Sequence, residues 1–212
     1  MSRANAQSNP KAYMRGRPLS LEQYLDSPML ASPLRVFDCC LETDGACAMV
    51  VTAADRARDL PHEPVYVMGV AEGHPFPGDE FEGRRDILQV GLHAAAPKAY
   101  EMAGVGPSDL DFAQIYDCFT YVVLLQLEAL GVCCEGEAGP YVEGGRLRID
   151  GELPVNTHGG LHSEAHVESL NHIVEATRQL RRGADLQVEG CEIGAVTGWG
   201  NFAESSMVIL RR

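Results

Sequence analysis

The chain has 212 residues, of which 45% are hydrophobic and 22% charged, with 22 glycines and 12 prolines. This length and apolar content suffice for one sizeable core or two small ones, so they exclude a chain that is disordered throughout. The 30 acidic and 17 basic side chains leave a net charge of −13. Such a balance argues against a surface that neutralises nucleic-acid phosphates.

The cysteines and the apolar segments bear on cellular location. The seven cysteines include no C-x-x-C pair, so we predict neither a disulfide framework nor a zinc ribbon. The first eighteen residues lack an apolar targeting core. The longest apolar run, 121–134, contains Gln126 and Glu128 and is too short to cross the roughly 30 Å of a bilayer's hydrocarbon. We therefore expect a cytoplasmic protein with no membrane association.

Residues 1–34 are predicted to form an extended arm and a short helix. The prolines of the arm oppose helix formation, and Ser20 with Gln23 has the spacing of a capping box. Residues 35–62 are predicted to form a hairpin around Thr-Asp-Gly at 43–45, and then a short helix over 53–60. Two strands and one short helix bury little surface, so we expect this segment to lean on another.

Residues 63–212 alternate between strand and helix patterns. The predicted strands lie at 65–70, 112–116, 146–149, 192–197 and 206–210, and the predicted helices at 94–103, 119–131 and 167–180. The order β-α-β-α-(short β)-α-β-β predicts an α/β fold in which helices cover a mixed sheet.

Three loops at strand ends carry candidate chemistry. In the first, Ile-Tyr-Asp-Cys-Phe-Thr at 115–120, Cys118 is expected at a helix N-terminus, where the dipole favours a reactive thiolate. The alternative is that Cys118 packs in the core and Asp117 caps the helix. The third loop, Thr-Gly-Trp-Gly-Asn-Phe at 197–202, forms either a simple tight turn or a pocket wall beneath the only tryptophan.

The second loop, at 155–166, contains three histidines and a Gly-Gly pair. Paired glycines let backbone N–H groups approach an oxyanion, and histidine is the usual acid or base near neutral pH. His162 and His166 are four residues apart, but Glu164 does not directly follow the first histidine as in zinc proteases. We therefore predict no metal.

The ordered motifs IYDCFT at 115–120, NTHGG at 156–160 and VTGWG at 196–200 resemble the carboxy-terminal half of thiolases. They are most similar to sterol-carrier-type thiolases and thiolase-like aldolases. The segment TDGACAMVV at 43–51 is similar to the strand before that half. The resemblance implies a thiolase-like fold in which 63–212 form one nearly complete βαβαβαββ half and 35–62 form the tail of a first half.

The same resemblance implies the site residues. His166 matches the catalytic histidine, which helps form an oxyanion hole, although Ala165 and Val167 replace the usual glycine and proline. Tyr116 stands where thiolases carry Asn or His, which suggests proton transfer by a phenol, and Cys118 is a third catalytic candidate. The expected substrate-binding residues are Asn156, His158, Gly159, Gly160, His162, Gly198, Trp199 and Gly200.

Two departures from thiolases bear on the activity. The base cysteine expected near Thr197 or Gly198 is absent, and the acylated cysteine belongs to the amino-terminal half. We expect a thiolase-like protein for carbon–carbon or acyl-transfer chemistry on acyl-CoA thioesters, as a truncated chain or part of a split enzyme. The alternatives are a retro-aldolase on β-hydroxyacyl-CoA with a partner subunit, and a non-catalytic acyl-CoA or lipid-binding module. We expect no tightly bound cofactor, and a homodimer or a complex with another subunit.

Overall fold

A computed structural model describes residues 1–212. The helices are α1 (Ser2–Ser8), α2 (Leu21–Leu25), α3 (Ala54–Ala57), α4 (Leu92–Ala103), α5 (Thr120–Ala129), α6 (Ala138–Val142), α7 (Gly160–Ser163) and α8 (Leu170–Leu180). The strands are β1 (Met29–Ala31), β2 (Leu34–Arg35), β3 (Tyr66–Gly73), β4 (Phe112–Gln114), β5 (Ile193–Trp199) and β6 (Ser205–Arg211). None of the helices combines the length and apolar character needed to span a bilayer.

The main sheet has four strands in the order β3-β6-β5-β4. Strands β3, β6 and β5 pair antiparallel, whereas β4 pairs parallel with β5. The parallel pair places the ends of β4 and β5 at one edge, so the loops after Gln114 and Trp199 leave the sheet side by side. The predicted α/β fold with a mixed sheet is confirmed.

Helices cover the two faces of the sheet. Helix α4 lies close to β3, because Gly69 and Gly73 have no side chain and a Cβ on either would collide with a backbone carbonyl oxygen. Helix α8 packs over β4 and β5. The apolar residues at this contact form a cluster of Phe112, Ala176, Leu180, Val188, Cys191, Val196 and Leu210. The order strand, helix, strand, helix predicted from residue 63 onward is therefore observed, apart from the short strand.

The prediction of a short strand at 146–149 is wrong. These residues form turns, and Gly144 and Gly145 before them have left-handed φ angles of 73° and 84°. Leu147 turns into the core rather than joining an edge. Val155, further along, instead makes a single parallel bridge to Ala113.

The amino-terminal third differs most from expectation. The predicted extended arm begins with helix α1, and Asn5 attaches this helix to the rest of the fold by donating through Nδ2 to the carbonyl oxygens of Val155 and Asn156. The predicted hairpin is wrong, since residues 39–53 contain no strand. The local pattern favours strands, but a strand needs a paired neighbour, which this segment lacks. The capping box of Ser20 and Gln23 is confirmed, and the helix after residue 53 is limited to α3.

Candidate active site

The phenol of Tyr116 and the imidazole of His166 meet although 50 residues separate them. The hydroxyl oxygen of Tyr116 lies 3.0 Å from Nε2 of His166. The two rings meet edge to face, with centroids 5.9 Å apart. Two of the three predicted catalytic side chains are therefore in hydrogen-bond contact, and we call these two candidates, Tyr116 and His166, the catalytic pair.

A closed ring of hydrogen bonds holds the backbone of Tyr116. Its N–H donates to Oγ1 of Thr197 (3.0 Å), and its carbonyl accepts from Nε2 of Gln126 (2.7 Å). Thr197 closes the ring by donating to Oε1 of Gln126 (2.5 Å). All three residues are buried, and a fully satisfied buried network is rigid. Strand β5 and helix α5 thus fix the position of the phenol.

His166 is held from the segment that precedes α3. Its backbone N–H donates to Oγ1 of Thr43 (3.1 Å), and Sγ of Cys40 lies 3.3 Å from its Nδ1. Glu168 follows in a left-handed conformation (φ 46°), and its Oε2 accepts from the Tyr116 hydroxyl at 3.4 Å. Such backbone geometry is rare for a residue with a side chain and is common at functional sites.

A cavity of about 500 Å³ lies beside the catalytic pair. Its wall includes Tyr116, Glu168, Thr197 and the three predicted residues Gly198, Trp199 and Gly200. The apolar part of the wall comes from strands β3, β5 and β6 and from the start of α8. This volume lies within the usual range for small-molecule sites. Tyr116 lines the cavity and His166 does not, so His166 reaches it through the phenol.

Burial sets the protonation of the hydroxyl and thiol groups here. Burial, with the nearby charge of Glu168, raises the pKa of Tyr116 far above its ordinary value of 10.0, so the phenol is protonated near neutral pH. Burial also raises the pKa of Cys118 to about 12. The prediction of a reactive thiolate at Cys118 is therefore wrong. Cys118 precedes the first residue of α5 by two positions, and loss of solvent outweighs the helix dipole.

The Asn-Thr-His-Gly-Gly motif lies behind the cavity rather than in its wall. Asn156 bonds both backbone groups of Ile115, accepting its N–H at 2.7 Å and donating to its carbonyl at 2.8 Å. A Cβ on Gly160 would collide with the Asp117 carboxylate, and one on Gly159 would press on Ala6. These predicted substrate-binding residues hold the loop that carries Tyr116.

Two of the three histidines of the motif lie away from the cavity wall, His158 buried and His162 half-buried. The His158 ring packs edge-on against the ring of His172 at 5.0 Å, and neither of its ring nitrogens has a hydrogen-bond partner. Burial lowers the pKa of His158 well below its ordinary value of 6.5 and also lowers the pKa of His162. Both are therefore neutral near pH 7, and only His166 of the three contacts the phenol.

Asp117 is the centre of this buried region. Its Oδ1 accepts the N–H of Leu161 (2.8 Å) and lies 3.4 Å from Nε2 of His172. Burial alone would raise the pKa of Asp117, but its contact with His172 holds that pKa below the ordinary value. We call Asp117, His158 and His172 the buried cluster. No group of three or more His, Cys, Asp or Glu side chains is placed to hold a metal ion.

Two residues of the site were not predicted. Cys40 is 126 residues from His166, and no local pattern relates them. Glu168 lies two positions after His166, so its nearness was the one available signal, but the left-handed turn that aims it was not foreseeable.

A family model described as the thiolase C-terminal domain-like family matches residues 77–212. The chain belongs to this family. It is 39% identical over 215 residues to the 17-hydroxy-3-oxo-4-pregnene-20-carboxyl-CoA lyase of Mycobacterium tuberculosis, a match that covers 98% of this chain and 54% of that protein. It is also 39% identical to the steroid side-chain-cleaving aldolase of Thermomonospora curvata, over 99% of this chain and 54% of the relative.

A solved structure supports the same placement in the thiolase C-terminal-like family. The Ltp2-ChsH2(DUF35) aldolase superposes with a TM-score of 0.95 at 38% identity, over 99% of this chain and 56% of that chain. The chain thus spans about half the length of the relatives that it matches. The thiolase-like half that the motifs predicted is confirmed.

Proposed function

We propose that this chain carries the proton-transfer part of an enzyme that cleaves a β-hydroxyacyl-CoA by a retro-aldol reaction. The contact of 3.0 Å between Tyr116 and His166 beside the cavity carries the proposal. Both of the steroid-specific relatives bear the names of carbon–carbon cleaving enzymes, which agrees with this chemistry. The proposal narrows the wider expectation of thiolase-like chemistry.

The state of Thr197 argues against acyl transfer. It occupies the region where a thiolase-like cysteine base was expected, and its hydroxyl is engaged on both sides, donating to Gln126 and accepting from Tyr116. A threonine hydroxyl is not a base near neutral pH, and one held in this way cannot take the place of the thiolase cysteine. The phenol of Tyr116 lies in the cavity wall and contacts both His166 and Glu168, so it can exchange a proton with a substrate.

The proposed step is balanced without a co-reactant. The β-hydroxyl proton of the substrate passes to the Tyr116 oxygen, while the phenol's own proton moves along its hydrogen bond to a neighbouring group. The bond between the α and β carbons breaks, its electron pair forms the thioester enolate, and the β carbon becomes a carbonyl. The enolate then takes up the proton held by that neighbouring group, which returns the site to its starting state. The CoA thioester is the substrate, and free CoA is not consumed.

The decisive assay follows from that balance. The assembled enzyme is incubated with 17-hydroxy-3-oxo-4-pregnene-20-carboxyl-CoA, with and without free CoA, and the carbonyl product is measured. Equal cleavage in both conditions is expected. Cleavage that requires free CoA would support thiolytic transfer instead, and binding without turnover would support a non-catalytic acyl-CoA module.

The assembly of this enzyme is part of the proposal. Residues 42–52 form no backbone–backbone hydrogen bond, and the side chains of Val50 and Val51 are 90% and 78% exposed. A segment with two exposed β-branched residues and an unpaired backbone is suited to join the edge of another sheet. We propose that a polypeptide equivalent to the uncovered part of the relatives pairs with it.

Co-expression tests the pairing. The uncovered part of the Thermomonospora curvata aldolase, made as a separate polypeptide, is expected to co-purify with this chain. Val51→Pro removes a backbone donor and should abolish the pair, whereas Ile87→Pro, at another exposed residue, should not. Failure to pair, or pairing that Val51→Pro leaves unchanged, contradicts the proposal. Homodimer formation and a reducing cytoplasm stay predictions, the latter supported by seven free thiols.

A further inference from the structure

Cys40 contacts both loops that supply the catalytic pair. Its Sγ lies 3.3 Å from Nδ1 of His166, and its backbone N–H donates to the carbonyl of Cys118 at 2.9 Å. The thiol is therefore on the side of the imidazole opposite to the phenol. Nothing in the retro-aldol step described above assigns it a role.

Two proton arrangements are possible along Cys40, His166 and Tyr116, because a neutral imidazole carries one N–H. In the first, Nδ1–H of His166 donates to the sulfur of Cys40, and Nε2 accepts from the hydroxyl of Tyr116. In the second, the thiol donates to Nδ1, and Nε2–H donates to the phenol oxygen. In the first arrangement His166 can accept the phenol's proton. In the second arrangement it cannot, because its Nε2 already carries a hydrogen.

The surroundings favour the second arrangement. Oε2 of Glu168 lies 3.4 Å from the Tyr116 hydroxyl, and a carboxylate can only accept. A thiol sulfur is a weak acceptor but holds a proton to donate, and burial raises the pKa of Cys40, so that proton is present at neutral pH. In the second arrangement every proton along Cys40, His166, Tyr116 and Glu168 has an acceptor.

We propose that Cys40 is a positioning residue that donates to Nδ1 of His166 and thereby holds the imidazole as its Nε2–H tautomer. His166 then donates to the Tyr116 oxygen. When that oxygen takes the substrate's hydroxyl proton, the phenol's own proton goes to the Glu168 carboxylate, which becomes a carboxylic acid. This catalytic consequence rests on the proposed retro-aldol function, whereas the tautomer is a property of the resting protein.

Nitrogen-15 NMR of the histidine rings tests the tautomer directly, at a pH where His166 is neutral. The His166 signals are assigned by their loss in His166→Gln. The unchanged chain is expected to show the Nε2–H form, Cys40→Ala to show an averaged or Nδ1–H signal, and Cys40→Ser to restore the Nε2–H form. Cys39→Ala is the matched control, because the thiol of Cys39 donates to the Arg35 carbonyl and not to His166; it should leave the signal unchanged.

Kinetics of the assembled enzyme give a second readout. In metal sites, loss of a group that orients a histidine ring typically costs about 10–100-fold. We expect an effect of similar size here, so Cys40→Ala should lower kcat with little change in KM, and Cys40→Ser should recover most of it. An Nδ1–H signal in the unchanged chain, or a tautomer that Cys40→Ala does not alter, overturns the proposal. The expected tautomers with no cleavage in any variant would contradict the retro-aldol function while the role of Cys40 stands.

Discussion

The catalytic pair and the buried cluster draw residues from the same two loops, 115–120 and 155–166, and the cluster adds His172 from α8, yet the two groups have opposite surroundings. Tyr116 lines a cavity, whereas Asp117, the next residue, is 1% exposed. His166 contacts a phenol and a thiol, whereas His158 is buried with no hydrogen bond on its ring. Residue type did not separate the two groups. Access to the cavity and the available hydrogen-bond partners did, so the pair is suited to proton transfer and the cluster to holding the loops.

The largest effect is expected from a substitution that breaks the contact within the catalytic pair. Tyr116→Phe keeps the ring but removes the hydroxyl that contacts His166 and Glu168. General acid–base groups contribute about 10²–10⁴-fold, so the cleavage rate of the β-hydroxyacyl-CoA should fall by that factor. The free energy of unfolding should fall by no more than about 1.5 kcal/mol, the usual net contribution of a hydrogen bond. Steady-state kinetics and urea denaturation measure the two. A rate within about twofold of the unchanged enzyme would remove the phenol from the mechanism.

The next effect concerns the buried cluster. His172 is fully buried, and its Nε2 lies 3.4 Å from the carboxylate of Asp117. His172→Ala leaves a buried carboxylate without its partner and should lower the free energy of unfolding by about 3–5 kcal/mol. Urea denaturation measures it, with exposed His62→Ala as the control expected within about 0.5 kcal/mol. A stable His172→Ala protein would show that the cluster does not hold the loops.

A smaller loss is expected where the Gly-Gly pair meets the cluster. Gly160 has a φ of 63°, and a Cβ there would collide with the Asp117 carboxylate. Gly160→Ala should therefore destabilise the fold by about 1–3 kcal/mol. Gly139→Ala, in helix α6 with open space around it, should be neutral or slightly stabilising. Comparison of the two unfolding midpoints checks this, and equal midpoints would leave Gly160 without a structural requirement.

The smallest effect is the response of stability to pH. Because burial lowers the folded-state pKa of His158 and His162, the unfolded chain binds more protons below the ordinary value of 6.5. Stability should be complete above that value and fall as the pH decreases from it, by at most about 1.4 kcal/mol per pH unit for each histidine. Glu175, whose pKa burial raises, opposes this trend nearer its ordinary value of 4.5.

Denaturation at a series of pH values measures that slope. His158→Gln should make it shallower, since one of the two histidines no longer titrates. A slope that His158→Gln leaves unchanged would mean that His158 keeps an ordinary pKa and is not sealed from solvent.

The amount that could be predicted differs between regions of the chain. Strand β3, helices α4, α5 and α8, and the closing strands followed from hydrophobic periodicity and glycine positions. The sequence did not reveal that the buried face of α8 is largely polar, with Asn171, His172, Glu175 and Gln179. The segment over 35–52 was predicted as a hairpin because its local pattern favours strands. A strand pattern states a preference only, and pairing needs a neighbour that the rest of this chain does not supply.

The sequence by itself determined the α/β class, the order of elements after residue 63, the membership of a thiolase-like half and the two side chains, Tyr116 and His166, that meet. Only the tertiary structure decided which histidines are buried, that Cys118 is not activated, and that Cys40 and Glu168 complete the contacts of the pair. The physical reason is that periodicity and motifs report local preference. Protonation and hydrogen bonding depend on solvent exclusion and on groups brought together across more than a hundred residues.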